Sequence, residues 1–317
     1  MPRRGRAVGL LLGYAADRAF GDPRRGHPVA GFGQLAGALE ERWYADSRRR
    51  GALHVVVLVG SAAVWGAAAE RSPLPRTLLT AAATWAVLGG RSLDREAAAV
   101  QAYLDDADLS AARQRLRHLV GRRTTDLSAD EVARAVVESV AENTSDAVVA
   151  PLVWGAVAGI PGLVAYRAAN TLDAMIGHRS ERYEHFGWAA ARLDDVLNLP
   201  GARLSSVLAA LCAPLVSGRP GDALHAWRRD AAAHPSPNAG PVEAAFAGAL
   251  GVRLGGRTVY GTAEAPRVEM RPVLGDGRDV AVGDVARARR LAAYVGAGAV
   301  AVGAVVAYVA DRPRIAH

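Results

Sequence analysis

Lysine is missing from the 317-residue chain, so all 38 basic residues are arginine. Schiff-base catalysis and a P-loop phosphate site both need a lysine, and the sequence excludes them. Cysteine is almost as scarce: Cys212 stands alone in an apolar run, which excludes intramolecular disulfides and CxxC-type metal or redox sites. A cleavable signal peptide is not predicted, because the first apolar run is short and meets Asp17 and Arg18.

Acidic residues are fewer than basic ones, and the net charge is +7. A basic chain can bind nucleic acid, but here the arginines flank apolar blocks, as the positive-inside rule expects. Hydrophobic residues make up 51% of the chain, yet its mean hydropathy is only +0.08, so apolar blocks alternate with strongly polar ones. We therefore expect contact with membrane lipid and no nucleic-acid partner.

The apolar blocks predict a membrane protein. Residues 291–310 carry no charge over about the 20 residues that a helix needs to cross the hydrocarbon core, and residues 52–69 come close. Residues 77–90 are shorter and are expected to pair with 52–69 as a helical hairpin. Residues 147–166 are uncharged but are interrupted by glycine and proline, and residues 204–218 are short. The expected fold is a mainly α, polytopic integral-membrane helical protein.

Polar stretches separate these blocks and predict Arg-rich loops and short amphipathic helices. Between residues 91 and 146, helix caps are predicted at Ser92 or Asp94, at Asp108, and at Ser128, where a capping box begins. Residues 255–283 have the alternation of loops or brief strands. We find no internal repeat or linker, so residues 1–317 are expected to form a single domain.

Three acids mark the beginning of the uncharged stretch 147–166. Glu138, Glu142 and Asp146 are spaced i, i+4, i+8, which predicts three carboxylates on one helical face. A solvated acidic face is the alternative interpretation. However, acids at a membrane boundary are costly unless they are used, and carboxylate and amide oxygens suit Mg²⁺ held with nucleotide phosphates.

Two further clusters follow within a short distance in the chain. Each combines arginine with acids and amides at helical spacing, which predicts a polyanion site, although a salt-bridged helix end is an open alternative for each alone. The residues are Arg167, Asn170 and Asp173 in the first cluster, and Arg192, Asp194, Asp195 and Asn198 in the second.

Proline-rich turns carry the remaining candidates. The segment from His234 through Ser236 and Asn238 feeds an apolar helix, where backbone N–H groups can face an anion; a plain capped turn is the alternative. Near the N-terminus, a second rigid turn brings one carboxylate together with the imidazole of His27. A lone histidine is more often structural than catalytic.

These motifs resemble the cobalamin biosynthesis CobD/CbiB family, the adenosylcobinamide-phosphate synthases. The matching segments are GDP at 21–23, HPV at 27–29, ESVAENTSD at 138–146, NTLDAMIGHRSERYEHFGWAAARLDDVLNLPGARL at 170–204 and HPSPNAGPVEAAFAGALGVRLGG at 234–256. The resemblance covers nearly the whole chain. It implies an ATP-dependent carbon–nitrogen ligase that joins aminopropanol, or its phosphate, to a propionate carboxylate of adenosylcobyric acid.

We expect ATP and Mg²⁺ as cofactors, an adenosylcorrinoid and aminopropanol (phosphate) as substrates, and other cobalamin-assembly enzymes as candidate partners. The expected location is the bacterial plasma membrane, with several spans and a cytoplasmic active site.

Within this reaction we assign three sets of residues. The candidate catalytic residues are Glu142, Asp146, Asp194, His27 and His234. The candidate substrate- or phosphate-binding residues are Arg167, Asn170, Arg182, Arg192, Asn198, Ser236 and Asn238. The candidate metal ligands are Glu138, Glu142, Asp146, Asp173, Asp194 and Asp195.

Two other functions fit parts of the sequence. LDDVLN at 193–198 resembles an Asp-rich diphosphate motif, as in a membrane prenyltransferase, but such enzymes need two comparable Asp-rich helices, and Asn170 with Asp173 is a weak second. A transporter would place acids in the middle of spans, whereas here they lie at the ends. A full span at 147–166 would also separate the predicted site residues across the membrane. We therefore expect that segment to be re-entrant or partly buried, with a break at Pro161 and Gly162.

Overall fold

The computed structural model describes residues 5–22, 26–178, 180–261 and 266–311, within which the chain forms twelve α-helices and three strands. Pro23 of the GDP motif lies outside the described residues, as do Arg3 and Arg4, two of the three N-terminal arginines that favour a cytoplasmic N-terminus. The helices are α1 (Gly5–Phe20), α2 (Pro28–Trp43), α3 (Arg48–Glu70), α4 (Arg76–Val87), α5 (Gly90–Asp105), α6 (Leu109–Leu116), α7 (Ala129–Thr144), α8 (Ala150–Leu172), α9 (Trp188–Cys212), α10 (Pro220–Asp230), α11 (Ala239–Leu250) and α12 (Gly283–Ala310). The strands are β1 (Val252–Gly261), β2 (Pro266–Leu274) and β3 (Arg278–Asp279).

The helices belong to two compact units, each assembled from separate parts of the chain. Unit 1 contains Met1–Gly89, Asp146–Gly201 and Ala299–His317, and unit 2 contains Gly90–Ser145 and Ala202–Gly298. Because the segments interleave, no single cut along the sequence separates the units.

Four helical stretches among the described residues are long and apolar enough to cross a membrane, which confirms a mainly α membrane protein. They are Arg48–Glu70, Ala129–Gly177, Trp188–Val216 and Gly283–Ala310. The first and last contain the two uncharged runs from which membrane spans were predicted. The short apolar run at 204–218 covers the end of a longer helix that begins at Trp188, together with the 3₁₀ turn Ala213–Val216 that follows it.

The stretch Ala129–Gly177 is not one straight helix, because α8 breaks at Gly159. This glycine has φ 67° and ψ −149°, a conformation that disfavours any residue with a Cβ. A Cβ at Gly155 would lie 2.9 Å from the side chain of Leu163, although residues eight apart in a straight helix are separated by about 12 Å. The two limbs of α8 therefore fold back on each other, as the predicted re-entrant segment requires, with the break two residues before Pro161.

The freed backbone at this break is capped by α3. The N–H of Ile160 donates to Oε1 of Glu70 at 3.0 Å. A carboxylate therefore accepts a hydrogen bond from one of the backbone N–H groups left without an intrahelical partner at the start of the second limb.

Helix α4 packs mainly on α1, not on α3 as predicted. Gly9 and Gly13 of α1 allow this close approach: a Cβ on Gly9 would lie 2.5 Å from Cβ of Thr80, and Gly13 faces Thr84 in the same way. Small residues at i and i+4 on one helix let two backbones approach within a membrane bundle. The prediction of an α3–α4 hairpin rested on the short connection between the two helices and did not consider this glycine face.

In unit 2, two predicted caps are confirmed and one is wrong. Ser128 and Glu131 form the reciprocal capping box of α7, and Asp108 Oδ1 accepts the N–H of Ala111 at the start of α6. Helix α5 begins already at Gly90, so Ser92 and Asp94 lie inside the helix and neither is its N-cap. Asp94 instead accepts a hydrogen bond from Nε of Arg289 at 2.8 Å.

The brief strands predicted between residues 255 and 283 form a three-stranded sheet in the order β2-β1-β3. Strand β1 is antiparallel to β2 and parallel to β3. The register of β1 against β2 shifts between Leu254 and Gly256, and the intervening Gly255 has φ 84°. This irregularity frees the N–H of Gly255 from the β1–β2 ladder to contact the acidic face of α7.

Candidate functional site

A buried polar network lies in unit 1 between the second limb of α8 and α9. Asp194 accepts from Nδ2 of Asn170 at 3.2 Å and from Nδ2 of Asn198 at 2.9 Å. The hydroxyl of Tyr166 lies 2.7 Å from Oδ1 of Asn198 and 2.9 Å from the carbonyl oxygen of Asp146. Tyr166, Asp194 and Asn198 are all buried, so the network holds one carboxylate in a fixed orientation away from water.

Helical spacing explains why these residues meet. Tyr166 and Asn170 are one turn apart on α8, and Asp194 and Asn198 are one turn apart on α9, so each pair shares a face. The sequence correctly placed Asp194 and Asn198 together. It did not indicate Tyr166, whose role as a bridge depends on the packing of two distant segments.

Arg167 connects this network to a large apolar cavity. Its Nη1 donates to Oδ1 of Asn170 at 3.4 Å, whereas its buried Nε has no hydrogen-bond partner among the described residues. The cavity has a volume of about 780 Å³ and is walled by α2, α3, α4 and the second limb of α8. Arg167 thus places a cationic donor on a wall that is otherwise almost entirely apolar.

Gly21 and Asp22 of the GDP motif and His27 of the HPV motif also belong to unit 1. The carbonyl of Gly21 accepts from Nε1 of Trp85 at 2.9 Å. His27 caps α2, because its Nδ1 accepts the N–H of Val29 at 3.1 Å, and its Nε2 lies 4.0 Å from Oδ2 of Asp22. The charge of Asp22 in turn acts on Arg167. His27 therefore has a structural role as a cap, and its other ring nitrogen faces a carboxylate.

Other predicted residues of unit 1 lie outside the network. Arg192 and Asp195 form an ion pair at 3.8 Å, with an exposed arginine and a half-buried aspartate, which is the salt-bridged helix surface considered as an alternative. Arg182 donates to Oε1 of Glu40 at 3.0 Å, and its guanidinium lies 4.0 Å from the centre of the Tyr44 ring. Asp173 begins the π-helical segment Asp173–Gly177 that ends the α8 helix.

Unit 2 contains a second, separate cluster around Glu138. Its Oε1 accepts the N–H of Gly255 at 2.8 Å, and its Oε2 forms a short ion pair with Arg122. Arg134 lies one turn earlier on α7, with its Nε 3.9 Å from Oε1. Glu138 is buried. Its hydrogen bond with Gly255 connects α7 to the β-sheet, and its ion pair with Arg122 fixes the position of that side chain.

Glu142 lines the same pocket as Glu138, but Asp146 does not belong to it. The pocket has a volume of about 120 Å³, and its polar lining includes Arg122, Arg271 and Tyr260. The predicted three-carboxylate face ends before Asp146 because Ser145–Val149 is π-helical, so the α-helical spacing does not continue. Asp146 contributes its carbonyl to the network of unit 1 instead.

Glu243 and His234 lie beside this pocket and form a buried pair. Nε2 of His234 is 4.0 Å from Oε1 of Glu243, and neither this nitrogen nor either Glu243 oxygen has a hydrogen-bond partner among the described residues. Burial raises the pKa of Glu243 well above its usual range, and the charges of Glu138 and Glu142 raise it further. Burial, followed by the charge of Arg271, lowers the pKa of His234. Both shifts favour the uncharged form, which is a protonated carboxyl at Glu243 and a neutral imidazole at His234.

The turn before α11 has the capped form considered as the alternative to an anion site. The hydroxyl of Ser236 accepts the N–H groups of Asn238 and Ala239, at 3.3 and 3.1 Å. Arg203 donates to Oδ1 of Asn238 at 3.0 Å. Ser236 and Asn238 thus hold the turn that positions His234.

The six candidate metal ligands do not assemble into one set. Among the described residues, no group of three or more His, Cys, Asp and Glu side chains could hold a metal ion. Mg²⁺ is commonly held by only one or two protein carboxylates together with substrate phosphates. The donors present therefore fit Mg²⁺ that arrives with a nucleotide, with Asp194 of the unit 1 network as the carboxylate that would hold it.

Comparison with known proteins gives a consistent result. The family model described as "CobD/Cbib protein" matches residues 10–292. The chain is 53% identical over 305 residues to Cobalamin biosynthesis protein CobD of Mycobacterium tuberculosis, with 96% of each chain covered. It is 43% identical to the protein of that name from Rhodobacter capsulatus, covering 89% of this chain and 91% of the relative. The Geobacter metallireducens protein is 46% identical, with 79% and 82% covered. No solved structure matches.

Proposed function

The chain belongs to the CobD/CbiB family of cobalamin-biosynthesis proteins, and on this basis we propose that it is an ATP-dependent acid–amine ligase. It joins aminopropanol, or aminopropanol phosphate, to a propionate carboxylate of adenosylcobyric acid. The product is adenosylcobinamide or its phosphate.

The chemistry determines which groups the protein must supply. A carboxylate is a poor electrophile, so its oxygen first attacks the terminal phosphorus of ATP; an acyl phosphate forms and ADP leaves. The amine then attacks the acyl carbon, the C–N bond forms, inorganic phosphate leaves, and a base takes the proton from nitrogen. Cationic donors stabilise the charge that develops in both steps. Bound Mg²⁺ supplies charge neutralisation at the phosphates.

The observation that carries this proposal is the polar network next to the large cavity of unit 1. Arg167 has a buried donor without a partner on the cavity wall, which suits a substrate that combines a large body with a carboxylate. Of the three arginines predicted to bind anions, Arg182 and Arg192 are already paired with Glu40 and Asp195. We therefore propose that Arg167 grips the propionate, while Asn170, Asn198 and Asp194 orient the Mg²⁺–phosphate group.

The base remains a choice between two histidines with different environments. His27 is half-buried, with Nδ1 accepting the N–H of Val29 and Nε2 facing Asp22. His234 is buried, and burial followed by the charge of Arg271 lowers its pKa, which disfavours proton uptake. We propose His27 as the base and assign His234 to the support of the pocket in unit 2.

We further propose that the protein resides in the bacterial plasma membrane with its reaction centre on the cytoplasmic side, where ATP is available. Arg6 lies at the start of α1, and arginines next to apolar segments favour the cytoplasmic face. Other cobalamin-assembly enzymes are candidate partners.

The proposal is tested by reconstituting the reaction. Detergent-purified protein receives adenosylcobyric acid, aminopropanol phosphate, ATP and Mg²⁺, and the corrinoid is analysed by mass spectrometry. We expect a corrinoid heavier by aminopropanol phosphate minus water, with one phosphate released per product. Parallel reactions each lack one component, and free aminopropanol replaces its phosphate in another.

Other outcomes distinguish the alternatives. A prenyltransferase would require an isoprenoid diphosphate and no ATP. The two aspartates of LDDVLN weigh against it, because Asp194 is buried in the network while Asp195 pairs with Arg192 at the surface. A transporter would move corrinoid into vesicles without a change of mass. An unmodified corrinoid from folded protein with every substrate present would refute the ligase.

A further inference from the structure

The small pocket of unit 2 combines both signs of charge in little space. Arg122, Glu138 and Glu142 line one side, and Tyr260 and Arg271 from the β-sheet line the other. Its volume of about 120 Å³ is well below the roughly 300–1,000 Å³ of pockets that take drug-sized ligands. A whole nucleotide or corrinoid therefore does not fit, whereas a molecule with few heavy atoms does.

The unused polar atoms indicate which charges the ligand carries. Glu138 is held by Gly255 and Arg122, so it serves as an internal anchor. Buried Nε of Arg271, in contrast, has no hydrogen-bond partner among the described residues. Half-buried Glu142 lines the pocket without the anchoring contacts of Glu138. A free guanidinium donor and a carboxylate in one small pocket match a ligand with an anion at one end and an ammonium at the other.

Glu243 lies beside the pocket and supports this assignment of the ligand. Its side chain is 1% exposed, and both of its oxygens lack a partner among the described residues. The charges of Glu142 and Arg271 act on it. A buried polar group without a partner is costly, and such groups in native proteins often mark a site that a ligand or an ion completes.

We propose that this pocket binds the amine substrate as a short amino-alkyl phosphate, with the phosphate against Arg271 and Arg122 and the ammonium against Glu142. This inference rests on the proposed ligase function, and it favours the phosphorylated form of aminopropanol. A free amino alcohol carries no anion for the arginines, and a simple alkyl phosphate carries no cation for Glu142.

Equilibrium binding without corrinoid or ATP tests the pocket separately from turnover. The probes are aminopropanol phosphate, aminopropanol, propyl phosphate and ATP, each titrated into detergent-purified protein. The variants are Glu142→Gln and Arg271→Gln. Their controls are Asp130→Asn, exposed on α7, and Arg257→Gln, exposed on the neighbouring strand β1.

We expect Kd for aminopropanol phosphate to rise at least tenfold in both variants and to stay unchanged in both controls. Glu142→Gln should leave propyl phosphate binding unaltered, and Arg271→Gln should leave aminopropanol binding unaltered, because each removes only one charge. Thermal unfolding and gel filtration establish that each variant is folded, and Arg271→Lys provides a second variant that keeps the charge.

Unchanged binding of aminopropanol phosphate in folded Glu142→Gln and Arg271→Gln overturns the inference, as does a loss confined to ATP. The proposed function fails differently. If the protein binds aminopropanol phosphate through this pocket but never modifies the corrinoid, the pocket assignment stands and the ligase does not. If the protein catalyses the ligase reaction and KM for aminopropanol phosphate is unchanged in both variants, the ligase function stands and the pocket assignment does not.

Discussion

Two adjacent aspartates in α9 have opposite surroundings. Asp194 is buried and accepts two amide donors, whereas Asp195 is partly exposed and lies 3.8 Å from the guanidinium of Arg192. Hydrogen bonds to a buried charged group contribute about 1.5–3 kcal/mol each, whereas exposed ion pairs contribute about 0–1 kcal/mol. The chain thus offers a matched pair of substitutions at neighbouring positions.

We expect Asp194→Asn to lower the free energy of unfolding by about 1.5–3 kcal/mol, because the new NH₂ group faces an amide donor. Turnover should fall by about 10²-fold, the scale of losing one electrostatic contact in a preorganised site. The same change at Asp195 should alter stability by less than about 0.5 kcal/mol and leave turnover near wild type. Thermal unfolding and product formation in detergent measure both effects. Equal effects of the two variants would contradict the assigned network.

The sequence predicted part of the site at this scale. The spacing of one helical turn correctly predicted that Asp194 and Asn198 lie together. Both residues are on one helix, so this prediction needs no knowledge of the tertiary structure. The spacing could not show that Arg192 and Asp195 lie outside the site, because their spacing is also helical. Only the packing of the helix determines which of its faces is buried. Glu243 was not among the predicted site residues, although it is the one carboxylate in the apolar helix Ala239–Leu250.

Helices in this chain approach each other through glycines. Gly51 of α3 faces the backbone of Phe186, and a Cβ there would overlap the carbonyl oxygen of that residue. Gly60, nine residues later on the same helix, has no atom within 4 Å of its Cβ position. The region around Phe186 belongs to the core of unit 1, which also contains Val55, Leu58 and Ile176.

The same substitution at these two glycines should have opposite effects. Gly51→Ala forces the backbones apart, and overpacking typically costs about 1–3 kcal/mol. Gly60→Ala meets no neighbour and should stabilise the helix by up to about 1 kcal/mol, since alanine has the higher helix propensity. Unfolding midpoints of the two purified variants in one detergent provide the measurement. A neutral Gly51→Ala would mean that α3 and Phe186 are further apart than the structure shows.

Elements with local signals were predicted well. The Ser128 capping box and the long uncharged runs depend on residues close in the chain, and both are confirmed. The pairing of α4 with α1 was missed, because it depends on complementary faces of helices distant in sequence. The π-helical segment after Thr144 also gave no signal in the sequence, and it was what disrupted the predicted row of three acids.

At the scale of the whole chain, apolar side chains remain exposed along complete helices. On α3, Val56, Val64 and Trp65 are 66%, 70% and 63% exposed, and on α12 Val305 and Val309 are 63% and 56% exposed. Water-soluble proteins rarely leave such contiguous apolar surfaces uncovered. In a bilayer the same surfaces face lipid tails, so they need no protein partner.

Membrane integration follows as a prediction that can be measured directly. The protein should stay in the membrane pellet through high-salt and alkaline carbonate washes and be released only by detergent, because salt screens surface attachment but does not weaken apolar burial. Val64→Arg should reduce the inserted fraction, since arginine at the centre of a spanning helix costs about 2.5–3.5 kcal/mol. Asp105→Arg, at an exposed position near the end of α5, should insert like wild type and serves as the control. Release of the wild-type protein by salt alone would mean that α3 and α12 bury their apolar faces against protein and do not cross a bilayer.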